Sequence, residues 1–97
     1  MVTREKCLAV LRAYFNEVSE KYGIQSMALF GSVARNEQKP DSDVDVLYEG
    51  APNMLLRIKM QQELEDLLGV PVDLTRSRTS ISESPFAEDI AQDLIFV

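Results

Sequence analysis

Three aspartates, Asp43, Asp45 and Asp73, stand where a carboxylate either does chemistry or must be accounted for in some other way. Asp43 and Asp45 are two residues apart in the run Asp43-Val44-Asp45-Val46, so in a strand their side chains leave the same face. Adjacent like charges are costly. Repulsion raises one pKa or splays the pair, whereas a hard divalent cation such as Mg2+ or Mn2+ turns the same oxygens into ligands. A pair at a solvated strand edge has the same spacing, so Asp43 and Asp45 alone do not decide between the two. Leu47, next on that face, is apolar and places the carboxylates at the rim of a partly buried surface. Asp73 lies among Val70, Val72 and Leu74, in a stretch that otherwise reads as core, and a carboxylate there needs a compensating partner. A third ligand to shared cations would supply it; so would a strand end facing water, or an ion pair with Arg76 or Arg78.

A second group precedes the paired aspartates, in Gly31-Ser32-Val33-Ala34-Arg35. A Gly-Ser pair between a strand and a short helix lets backbone N–H groups approach a phosphate, with the Ser32 hydroxyl and the helix start adding to the attraction. An ordinary turn has the same composition. Arg35 is equally suited to phosphate charge or to a solvated helix surface, Lys39 could add charge, and Asp41 reads as a turn residue. The chain has no His, which removes the commonest general base and transition-metal ligand. Any metal is therefore expected to be hard and oxygen-bound. Cys7, the single cysteine, lacks a histidine to activate it and reads as packing.

The elements that must position these residues are legible from periodicity. Within residues 3–22, Leu8, Leu11, Phe15, Val18 and Tyr22 recur at steps of three and four, predicting a helix capped by Thr3 and ended by Gly23. Residues 24–30 read as a strand and 43–48 as a second. After Gly50-Ala51-Pro52, Asn53 caps a second helix carrying Leu56, Met60, Leu64, Leu67 and Leu68 up to Gly69. Residues 70–75 read as a third strand with Pro71 near its start, 76–84 as a loop, Ser84-Pro85 as the opening of a short helix, and 94–97 as a last strand. No repeat or linker interrupts the chain.

At 97 residues the chain suits one domain, 1–97, with one modest core. No apolar run approaches the roughly 20 residues that span a bilayer, and neither a secretory signal nor a disulfide is present, so a cytoplasmic setting is expected. A formal charge of -6 opposes sequence-independent nucleic-acid binding. It suits solubility, or a partner with a basic surface.

Taken together, Gly31-Ser32, Ala34-Arg35, Ser42-Asp43-Val44-Asp45 and Val72-Asp73-Leu74 resemble the nucleotidyltransferase superfamily that includes the palm of DNA polymerase beta. Over about residues 10 to 75 they look like its glycine-serine loop, paired aspartates and third aspartate. The short length, without an added helical domain, is similar to the minimal nucleotidyltransferase group, often paired with a helical HEPN protein. Members usually carry Gly after the Ala-Arg pair. Here Asn36 stands in its place, and Asn tolerates left-handed angles better than most residues.

The resemblance implies an α+β fold: a small mixed β-sheet with helices mainly on one face. It implies that Asp43, Asp45 and Asp73 are both catalytic residues and ligands to two Mg2+ ions, with Asp73 accepting the proton of the incoming hydroxyl. Gly31, Ser32 and Arg35 would bind the phosphates of ATP. The implied reaction transfers AMP to a protein hydroxyl, expected on a tyrosine of a HEPN toxin whose antitoxin this chain would be. Occlusion of a toxin without catalysis, and nucleotidyl transfer to a small molecule such as an aminoglycoside, are the alternatives. Exposed parts of the Leu-rich helices would suit a homodimer or the HEPN interface, though such stripes also serve simply as core.

Overall fold

The computed structural model describes residues 3–37, 39, 43–77 and 94–97. The expected helix at Ser84-Pro85, the turn residue Asp41, and Arg78 lie outside them. The order is α1 (Arg4–Tyr22), β1 (Ile24–Phe30), α2 (Gly31–Ala34), β2 (Val44–Gly50), α3 (Met54–Leu68), β3 (Val72–Arg76) and β4 (Ile95–Phe96).

Both long helices begin and end where their capping residues require. The Thr3 side chain accepts from the Lys6 backbone N–H at 3.1 Å, and Gly23, at φ 67, closes α1 by donating to the Ser19 carbonyl. Asn53 accepts from the Leu56 N–H at 3.1 Å, and Gly69, at φ 72, donates to the Glu65 carbonyl at 2.8 Å. These caps satisfy backbone groups that a helix end otherwise leaves unpaired.

The buried stripes differ from the sequence expectation. On α1 the buried residues are Cys7, Leu11, Tyr14 and Val18, while Leu8, Phe15 and Tyr22 are half-buried. The stripe is rotated because α1 faces α3 as well as the sheet, and the Tyr14 hydroxyl reaches Glu63 on α3 at 2.7 Å. On α3, Met60, Leu64 and Leu68 are buried, whereas Leu67 is exposed. Cys7 is fully buried, as a packing residue should be, and burial raises its thiol pKa.

The sheet runs β3-β2-β1-β4. β1 is antiparallel to β2 and β4, and β2 is parallel to β3, an arrangement that needs the crossover supplied by α3. Side chains alternate across it. Met27, Leu29, Val44, Val46, Tyr48, Val72 and Leu74 join the helix-side core, which α1 covers over β1 and α3 covers over β3. This is the mixed α+β architecture expected. β3 starts at Val72 rather than at residue 70 because Pro71 cannot donate to the ladder; its carbonyl accepts from the Val44 N–H instead, at 3.0 Å.

Candidate functional site

Strand register brings the separated acidic residues together. Asp45 pairs with Phe30 on β1 and with Asp73 on β3, so all three lie in one row across the sheet. Neighbours in a row share a face and stand about 4.8 Å apart. Val44, Val46 and Val72 point into the helix-side core, which leaves Asp45 and Asp73 on the opposite face. Asp43 precedes β2 by one residue and has the parity of Asp45. Leu47 is buried, as is its partner Ala28, so the row borders an apolar surface as the sequence suggested.

The local backbone explains why a glycine follows β1. Phe30 is extended, but Gly31 turns at φ 77 into α2, whose Val33 and Ala34 are buried. A Cβ at Gly31 would collide with the Asp45 carboxylate. Gly31 thus serves two steric needs, a left-handed angle and room for Asp45, where the sequence suggested only close approach of a phosphate. Asn36 takes φ 60, the one positive-φ position among the described residues that is not glycine, so the turn survives the substitution of Asn for Gly.

Electrostatics single out Asp45. Its pKa is raised, first by burial, then by the charges of Asp73 and Asp43, and is opposed by Arg35. The order of causes fits exposure: Asp45 is half-buried, while Asp43 and Asp73 are exposed. Asp73 therefore does not carry the burial penalty that its apolar neighbours implied, because it faces away from them. Nor does it pair with Arg76, whose guanidinium donates to the carbonyls of Gly50 and Ser77 at 3.4 Å. Arg35 is exposed and pairs with Glu37 at 3.1 Å while acting on Asp45 through space; Ser32 is half-buried and Lys39 exposed. Among the described residues no three acidic side chains stand close enough to ligate a single ion. What the fold supplies is a row of hard oxygen donors with a glycine cradle against the central one, and this donor set fits Mg2+ or Mn2+.

The nucleotidyltransferase domain model matches residues 11–97. The chain belongs to that family. It is a nucleotidyltransferase. The protein adenylyltransferase MntA of Thermococcus cleftensis is 36% identical over 99 residues, covering 100% of this chain and 98% of the relative. A solved structure provisionally named a minimal nucleotidyltransferase is 30% identical with a TM-score of 0.75, covering 97% of this chain and 95% of that one. A toxin-antitoxin structure with AMP-PNP superposes with a TM-score of 0.57 over 84% of this chain and 63% of that one; at 22% identity it bears on the fold alone.

One feature of this region was not visible in the sequence. Asp73 also forms part of a cleft of about 570 Å³ along the outer edge of β3, whose wall includes Tyr48, Arg57 and Arg76. Arg57 and Arg76 belong to different elements, and no local spacing joins them.

Proposed function

We propose that the chain is a metal-dependent protein adenylyltransferase that moves AMP from ATP to a hydroxyl of a partner protein and acts as the antitoxin of a HEPN toxin in the cytoplasm. The observation that carries the reading is the placement of Asp45 directly opposite Asp73, beside the Gly31 turn, on the sheet face opposite the core formed with α1 and α3. Asp43, Asp45 and Asp73 would hold two divalent cations, Mg2+ or Mn2+. Cations bound there would supply neutralisation of charge on the attacking and leaving oxygens. Gly31 and Ser32 would position the β and γ phosphates, with Arg35 adding positive charge.

The acceptor oxygen forms a bond to the α phosphorus, the bond from that phosphorus to the bridging oxygen breaks, and pyrophosphate leaves. Asp73, exposed and on the flank of Asp45 away from the Gly31 turn, is the available acceptor for the hydroxyl proton. The protein adenylyltransferase name of the Thermococcus relative supports protein as the acceptor and an adenylyl group as what is transferred. That no described helix is long and apolar enough to cross a membrane is compatible with a cytoplasmic site of action.

The test is incubation with α-labelled ATP, Mg2+ and the protein encoded beside this chain. Label should pass to that protein with the wild type and disappear with Asp43→Asn/Asp45→Asn, while folding is retained. Equal labelling by the double variant would remove the aspartates from the reaction, and absence of labelling by the wild type would reject protein adenylylation.

A further inference from the structure

We infer that the cleft along the outer edge of β3 is the acceptor subsite, and that it takes an extended segment of the partner protein bearing an acidic side chain two or three residues from the modified hydroxyl. This rests on the proposed adenylyl transfer, because the order of elements across the sheet fixes which side the acceptor must use. The Gly31 turn joins β1 to α2, on one flank of Asp45, and Asp73 lies on the other. In-line displacement needs the nucleophile opposite the departing pyrophosphate. With the triphosphate over Gly31 and Ser32, the nucleophile arrives from the β3 side, where the cleft opens beside Asp73.

The charge of the cleft names its occupant. In a chain of net charge -6, its walls carry two cations, Arg57 and Arg76, and among the described residues neither forms an ion pair. Their contacts are long: Arg57 to the Leu74 carbonyl and Arg76 to the Gly50 and Ser77 carbonyls, each 3.4 Å. A carboxylate offers a guanidinium shorter, charge-assisted bonds and would displace such contacts. Both arginines act on the same interior point, since each pulls down the Tyr48 phenol pKa that burial raises.

Asp73 and Arg76 are three residues apart, about 10 Å along β3 and on opposite faces of it, so an extended acceptor reaches both in about three residues by crossing the outer edge of the strand, where the cleft includes both side chains. The edge itself does not invite a paired strand. The Val72 N–H donates to Glu65 at 3.0 Å and the Leu74 carbonyl receives Arg57, so α3 covers the ladder positions and recognition falls to side chains. Beside the cleft, Met54, Leu55 and Ile58 are 71%, 80% and 52% exposed on the first turns of α3, an apolar apron suited to a protein rather than a small molecule.

The experiment measures fluorescence anisotropy with labelled peptides that carry a central tyrosine flanked at two and three residues on either side by Glu, by Gln or by Lys. The Glu peptide should bind at least about ten-fold more tightly than the Gln peptide, and the Lys peptide should bind worst. Arg57→Gln/Arg76→Gln, checked for folding by circular dichroism, should erase the Glu preference and leave Mg2+-dependent ATP binding unchanged. Equal binding of the three peptides to the wild type overturns the inference without any variant. An unchanged preference in the arginine variant, or displacement of the Glu peptide by AMP-PNP, also overturns it. ATP binding by the wild type is read in parallel; its absence defeats the adenylyltransferase reading and leaves the peptide result to stand separately.

Discussion

Gly31 and Asp45 form a steric couple that no motif describes. At φ 77 an alanine is strained by about 1–2 kcal/mol, and its Cβ would strike the Asp45 carboxylate as well. Gly31→Ala should therefore destabilise the fold by at least about 2 kcal/mol in urea unfolding. In Gly31→Ala/Asp45→Ala the collision is gone, so the two effects should combine to less than their sum. Strict additivity would show that the contact is not felt.

The Asp45 pKa makes a separate prediction. A carboxyl whose folded pKa is raised binds its proton more tightly in the native state, so its contribution to stability declines as pH rises from the ordinary value near 3.8 through the raised one. Above that window the ionised group is a net cost, and Asp45→Asn should raise the metal-free melting temperature at pH 7 and lose this advantage at low pH. A variant advantage that does not grow with pH would contradict the half-burial of Asp45 beside two acidic neighbours. At this scale the residue types were legible in the sequence. The exposure of Asp73 was not, because its flanking valine and leucine face the other side of the sheet.

The helices were legible through their ends more than through their faces. Thr3, Gly23, Asn53 and Gly69 act through local backbone chemistry and sit where the sequence placed them. The stripes depend on what each helix meets, and Tyr14 replaced Phe15 as the buried residue because α3 presents Glu63 to it. The Tyr14 hydroxyl donates to that carboxylate at 2.7 Å, whereas Tyr22 makes longer contacts of 3.2 and 3.3 Å and has Lys21 and Lys59 near its ring. Burial and Glu63 both raise the Tyr14 pKa, so the phenol stays a donor. Tyr14→Phe should cost about 1.5–3 kcal/mol, in the range for a hydrogen bond to a charged group. Tyr22→Phe should cost clearly less by the same denaturation measurement. Equal costs would mean that the α1–α3 contact is held by packing alone.

At the scale of the whole molecule, parallel pairing of β2 and β3 converts residues 45 and 73 into neighbours, and that pairing exists because α3 carries the chain back across the sheet. The mixed sheet was expected from the family resemblance. Its register and the β3 cleft were not legible, because Arg57, Arg76 and Tyr48 converge only through tertiary packing. We propose that Asp43, Asp45 and Asp73 act on one nucleotide through shared cations. Anomalous scattering from crystals grown with Mn2+ and AMP-PNP tests it most directly. Manganese peaks bounded by all three carboxylates are expected, with the triphosphate against Gly31 and Ser32; peaks elsewhere, or Asp73 turned away from an occupied site, would remove the shared-cation reading.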